Sequence, residues 1–338
     1  MSSRFLIAFF LTAAFLPAVT AAQTQQHEDE IVASLAGGRV IVQVAKDDVI
    51  IFAAIDEPPE PNSPPPRVLQ LDAGHVGVVL GASEWQIPSS PAPIRLDRDF
   101  QSIATTSNQR YQDYPDEAAR DLETIGVAFL EKLRPLVAQL HHKLDFRPDD
   151  PLFEVIVIGF APNYGPEVWQ VEYRIEQEQV ATRGEYWQTR ILRPRFTQLY
   201  PPEGGKHGAH TLVEARYPPE SADQPAGKGS NKNDDLPLTA LIQASDPRIA
   251  KLRAGDARFA KVLEFIDRGQ AQKASATDSA DFVRAVLPLI SNGHKFILGT
   301  MEEQRGFDWI VPPDEPVQKT DDKSRPPRAP SLRKKPTP

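Results

Sequence analysis

The side chains able to do chemistry in this sequence are few and scattered. There is no Cys, which removes a thiolate nucleophile, a zinc–thiolate or iron–sulfur site, a disulfide framework and a lipid-modified Cys. The His residues are His27, His75, His141, His142, His207, His210 and His294. His207 and His210 form an HxxH pair in the Gly-rich stretch GGKHGAH. A metal site needs three or more ligands in fixed geometry, so this pair reads as a solvated loop. His141 and His142 fall at the end of an expected helix, where an imidazole complements the dipole. Glu172, Glu176 and Glu178 alternate along an expected strand and read as a solvated face. Trp85, Trp169, Trp187 and Trp309 could line a groove, but burial where sheets meet helices is the favoured reading. The chain lacks HExxH, GxSxG, a Walker loop and a GxGxxG following a strand, so the common metalloprotease, serine-hydrolase, P-loop and dinucleotide signatures are missing. No cofactor and no metal is implied.

The elements that must position such residues follow from hydrophobic period and turn chemistry. Ile31–Ala36 and 40–45 flank Gly37-Gly38, and Val40, Val42 and Val44 alternate with Ile41, Gln43 and Ala45 as in a strand. After a turn at Asp47-Asp48, residues 49–55 (VIIFAAI) are apolar throughout, which suits a strand covered on both faces. Pro58, Pro59, Pro61, Pro64, Pro65 and Pro66 then force an extended loop. Residues 67–72 and 75–80 predict a hairpin around Ala73-Gly74, and Ser89–Tyr114 is expected to be irregular. Asp116 is the expected cap of a long helix reaching Lys143, with the stripe Leu122, Ile125, Phe129, Leu133, Leu136, Val137 and Leu140 and a kink at Pro135. FEVIVIGF (153–160) and VWQVEYRI (168–175) predict a second hairpin, and 185–199 a further pair of strands. Residues 201–236, rich in Gly, Pro, Lys and Asp, are expected to be a flexible insertion within one domain spanning 31–313. Helices over 257–268 and 279–290 and a closing hairpin of 296–301 with 306–311 complete a layered α+β pattern.

Composition supplies location and excludes some partners. The chain has 338 residues, 40% of them hydrophobic, enough to bury a core. Arg4 followed by the apolar run Phe5–Val19 and the small residues Thr20-Ala21-Ala22 predicts a secretory leader over 1–22, cut near Gln23. As a helix that run reaches only about 22 Å, short of the ~30 Å hydrocarbon core. Residues 23–30 (QTQQHEDE) are expected to be loose. A secreted or periplasmic bacterial protein fits this leader. The net charge of −8 is uneven: Pro316–Pro338 holds seven Lys/Arg against two Asp, and Arg4 adds one more cation, which leaves −14 for residues 23–315. Such an acidic body repels a phosphate backbone, so no nucleic-acid partner is expected. The basic, Pro-rich tail over 314–338 is expected to be disordered and could contact anionic envelope polymers.

Three segments carry a resemblance to a known family. DDVIIFAAID (47–56) followed by RVLQLDAGHVGVVLGAS (67–83) is similar to the front of proteasome-type N-terminal-nucleophile (Ntn) hydrolases. FEVIVIGFAPNYGPEVWQVEY (153–173) resembles a later hairpin of that family, and FILGTMEEQRGFDWIVPP (296–313) its closing hairpin. The resemblance covers roughly 30–200 and 255–313 and implies a four-layer αββα sandwich of antiparallel sheets covered by helices. In that family the first residue of the processed chain, Thr, Ser or Cys, attacks an amide. Its own freed α-amine is the general base, an Asp and a Lys set the proton balance, and a Gly amide stabilises the oxyanion.

Carried over residue by residue, the site is degenerate. At the family's spacing, counting back from Asp56 reaches Val40, and from Ile55 reaches Arg39, with Gly38 before the cleavage point. Val has no heteroatom, and Arg is a permanent cation with donors only. The lysine position falls at Pro66 or Arg67, and Gly81 matches the oxyanion glycine. Ser34 is a weak alternative nucleophile; Thr24 would require cleavage after Gln23. The expectation is a secreted proteasome-like protein that has lost its nucleophile and acts by binding a protein or peptide, or by assembly with further copies of itself. Two alternatives stay open: an active amide hydrolase (peptidase or acylase) with a displaced nucleophile, and an envelope-associated protein that works through its basic tail.

Overall fold

A computed structural model describes residues 32–46, 48–58, 62–86, 90–113, 122–144, 150–161, 165–180, 186–201, 212–218, 246–291 and 293–313. The leader over 1–22, the segment 23–30, most of 201–236, His27, His207, His210, Thr24 and the basic tail lie outside the described residues.

The described residues form a mixed α+β fold with two antiparallel sheets and five α-helices. The larger sheet runs β1(Val32–Ala36)–β5(His75–Gln86)–β7(Pro151–Ala161)–β8(Gly165–Gln179)–β10(Arg195–Tyr200). Off this path, β4(Arg67–Gln70) and β6(Ile94–Arg95) pair with β5, and β9(Trp187–Ile191) pairs with β8. The smaller sheet runs β11(Leu212–Tyr217)–β2(Gly38–Lys46)–β3(Val49–Asp56)–β12(Phe296–Glu302)–β13(Gly306–Val311).

Strand alternation divides the core into three layers of side chains. Val40, Val42, Val44, Ile50, Phe52 and Ala54 of the smaller sheet meet Val76, Val78, Leu80, Ile156 and Ile158 of the larger in a seam between the sheets. Ile41, Ala45, Ile51, Ala53 and Ile55 face the other way, onto α3(Pro247–Gly255), α4(Ala257–Asp267) and α5(Ala276–Ile290). Val79, Phe153, Val155 and Tyr173 pack outward against α1(Leu96–Asp113) and α2(Leu122–Val137) through Phe100, Phe129 and Leu133. The layers therefore run helices, sheet, sheet, helices. Each fully buried Val, Leu or Phe contributes roughly 1.5–3 kcal/mol, and β3 is apolar at every position but its last because both its faces are covered.

The helix ends on the small-sheet side are set by side-chain caps. Asp246 accepts from the Arg248 amide at 2.7 Å ahead of Pro247, which suits a first helical position. Asp256 ends α3 and caps α4 through the Arg258 amide at 2.8 Å, and Ser275 caps α5 through the Asp278 amide at 3.0 Å.

Four expectations need correction. Ser89–Tyr114 is not irregular throughout: α1 occupies Leu96–Asp113, its core stripe reduced to Leu96, Phe100, Ile103 and Ala104 among poor helix formers such as Thr, Ser and Asn. The long helix ends at Val137, with Pro135 in its last turn, so His141 and His142 lie beyond it. The stretch 201–236 includes a paired strand, β11, in register with β2 from Leu212↔Gln43 to Tyr217↔Gly38. Finally, β9 and β10 do not pair with each other; each pairs with β8.

Candidate functional site

The positions singled out by the resemblance converge at one end of the sandwich, where β2 begins and β3 ends. Gly38 pairs with Asp56 and Arg39 with Ile55. A Cβ built on Gly38 would stand 2.4 Å from Pro66 Cγ, 2.5 Å from the Ile55 carbonyl oxygen and 3.5 Å from Leu80 Cδ2. Residues 38–40, 55–57, 66 and 80–81 are thus neighbours.

The chemistry at these positions is not that of a nucleophile site. Arg39 shares the helix-facing side of β2 with Ile41 and is 2% exposed. Its Nη2 lies 2.9 Å from Glu57 Oε1 and its Nε 3.6 Å from Glu214 Oε1, while Arg216 Nε stands 3.4 Å from Glu57 Oε2. Two cations and two carboxylates close this cluster without net charge. Val40 is fully buried in the seam. Val32–Ala36, just before them, is a strand of the other sheet, paired with β5.

The supporting positions behave likewise. Asp56 ends β3 on the seam side, its amide donating to the Lys295 carbonyl at 2.8 Å. Burial pushes its carboxyl above the usual range, against the opposing charges of His294 and Lys295. Arg67 is committed elsewhere, 2.9 Å from Glu84 and 3.7 Å from Asp97, in a cluster that Arg95 completes at 2.6 Å from Asp97. Gly81 does not end its strand. It sits inside the sheet between Ala36 and Phe153 with φ +78°, and a Cβ there would stand 2.5 Å from the Leu152 carbonyl oxygen. Glycine is needed at that point for backbone approach and for left-handed geometry. Ser34 is a half-buried strand residue opposite Glu84, beside a bulge.

Two polar clusters escaped the sequence reading, and Glu172, expected on a solvated face, is largely buried in one of them, while Glu176 and Glu178 are exposed as expected. His75 is gripped on both sides, with Nδ1 3.1 Å from Asp72 and Nε2 2.9 Å from Glu167, whose other oxygen accepts from Trp169 Nε1 at 2.8 Å. Burial alone would lower the imidazole, but the hydrogen bonds and charges of Asp72 and Glu167 outweigh it and raise it to about 9. Glu154 is 1% exposed inside β7 and directly opposite Glu172 of β8, with Gln170 Nε2 donating to it at 3.1 Å. A lone carboxylate inside the apolar run FEVIVIGF was the available signal for the second cluster. The first had none, because Glu167 is distant from His75 in sequence. Among the described residues, no group of three or more His, Asp or Glu is arranged to hold a metal ion, and no helix is long and apolar enough to cross a membrane.

No family model matches the chain, and no curated protein matches it significantly.

Proposed function

We propose that this protein is a secreted, non-hydrolytic relative of the Ntn hydrolases that acts by binding a protein or peptide, or by self-assembly, outside the cytoplasm. One observation carries the reading. At the head of β2, where an attacking hydroxyl would have to stand, the chain places a buried arginine between Glu57 and Glu214. A guanidinium in that setting can neither attack a carbonyl nor accept a proton. The two-sheet layering and the closeness of Gly38, Asp56 and Pro66 support the kinship. The apolar stretch at the N-terminus supports export.

The test is the mature N-terminus, read by N-terminal sequencing and intact mass on protein recovered from the envelope or medium of a secreting bacterium. The expected chain starts near Gln23 and continues through Gly38 without a break. A chain that begins at Ser34, Thr24 or another hydroxyl residue, with amide hydrolysis abolished by Ser34→Ala or Thr24→Ala, would establish the hydrolase instead.

A further inference from the structure

We propose that the seam between the two sheets holds a proton-operated latch: Glu154, facing Glu172 across the β7–β8 ladder, lets the sheets close more firmly as a neutral acid than as an anion, so that its ionisation loosens them. This inference is independent of any kinship to hydrolases.

The geometry comes from the strand register. Leu80 of β5, Glu154 of β7 and Glu172 of β8 stand in one rung. Alternation along β7 puts Glu154 on the face of Ile156 and Ile158, which lies against the smaller sheet. The elements around it offer Glu154 no compensating cation among the described residues. From β5 comes Leu80, and from the facing strands come Val40 and Ala54, all apolar. From β8 come Gln170, a neutral donor, and Glu172, a like charge. From β11 comes Tyr217, 2% exposed, whose phenol is held neutral by burial first and then by the nearby charges of Glu154 and Asp150. Asp56 adds another carboxyl at this end of the seam. Arg195 of β10 is 3.8 Å from Glu172, and Arg174 acts on Glu172 too. No cation lies within ion-pair distance of Glu154 among the described residues.

An ionised carboxylate in such a place loses its hydration and faces a second carboxylate. The neutral acid gives up far less, since it keeps the Gln170 hydrogen bond. Burial first, then the charge of Glu172, raise Glu154 to about 8 against the effect of Gln170, whereas an unburied Glu titrates at 4.5. Closing the seam at neutral pH therefore takes up a proton. Folding becomes about tenfold less favourable for each pH unit between those two values. Above them, the seam must hold the anion.

The experiment uses the full chain, with urea denaturation of wild type and Glu154→Gln from pH 5 to pH 9. Gln mimics the neutral acid and does not titrate. The two folding constants should agree near pH 5. Their ratio should then rise about tenfold per pH unit in favour of Glu154→Gln and level off above pH 8. Parallel curves would overturn the proposal. Carboxyl 13C titration of wild type decides independently, even if the Gln variant fails to fold. A Glu154 signal titrating near 8 supports the latch, and one near 4.5 overturns it.

Discussion

Two rungs of one three-stranded ladder, β5–β7–β8, treat a carboxylate withdrawn wholly or partly from water in opposite ways. In the first rung His75, Gly159 and Glu167 stand in line; in the second, Leu80, Glu154 and Glu172. The rungs lie an odd number of residues apart, so they face opposite sides of the sheet. The difference is made by the middle residue. Gly159 has no side chain, and the imidazole of His75 lies over it to reach Glu167: a Cβ there would stand 2.3 Å from His75 Cδ2 and 2.3 Å from the Gly74 carbonyl oxygen. In the second rung the middle position is itself the carboxylate, and among the described residues no cation reaches it. Both rungs retain a proton in the folded state, one as an imidazolium shared by two carboxylates, the other as an uncharged acid. Burial of a charge is tolerated where a neighbouring strand leaves a gap for its partner.

The largest expected effect comes from closing that gap. Gly159→Ala places a methyl group against both the turn backbone at Gly74 and the His75 ring. The imidazole must leave, and Asp72 and Glu167 lose its charge in a half-closed site. A loss of about 3–5 kcal/mol is expected, read as a lower urea midpoint at unchanged slope. A loss under about 0.5 kcal/mol, as for an ordinary surface change, would show that the glycine does not make the rung.

The next effect is a pH dependence. The folded imidazole keeps its proton up to about 9, the unfolded one only to 6.5. The clamp's contribution is therefore complete below pH 6.5 and fades as pH rises through 9, by about 3 kcal/mol in all. His75→Gln should remove this component, so the difference in stability between wild type and variant shrinks to near zero at pH 10. A difference that stays constant across that range would mean that His75 is neutral in the fold.

The contrast between the rungs also marks what a sequence discloses. Layering was readable because VIIFAAI and FEVIVIGF are continuous apolar runs, and such runs demand cover on both faces. The hairpin over 296–311 was readable for the same reason, with turn residues between its strands. Helix α1 was not, because four apolar residues among Thr, Ser and Asn leave the packing surface, not local propensity, to decide the helix. Of the positions that the resemblance singled out, Gly38, Asp56 and Pro66 are neighbours. Arg67 is not among them, since its partners Glu84 and Asp97 belong to β5 and to the unforeseen α1. Arg39 could be named from the chain, but its neutralisation by Glu57, Glu214 and Arg216 needs β11 beside β2. That strand lay hidden in a stretch whose composition reads as a loop.

The smallest effect sharpens the comparison most, because it leaves both rungs folded. Glu172→Gln removes the like charge opposite Glu154 and keeps the shape of the rung. Burial, which acts on Glu154 more strongly than any neighbour, is untouched, so most of the raised affinity for the proton should survive. The titration of Glu154 should therefore move down from about 8 without approaching 4.5. Stability at neutral pH should change by less than about 1 kcal/mol, the scale of a cross-strand pair, because Arg195 loses a carboxylate while the uncharged Glu154 keeps its proton and its Gln170 partner. Carboxyl 13C titration and urea denaturation read the two quantities separately. A return of Glu154 to the ordinary carboxylate range in this variant would make repulsion, not the dry seam, the force that holds the proton, and the two rungs would then differ in their neighbours' charges rather than in access for a partner.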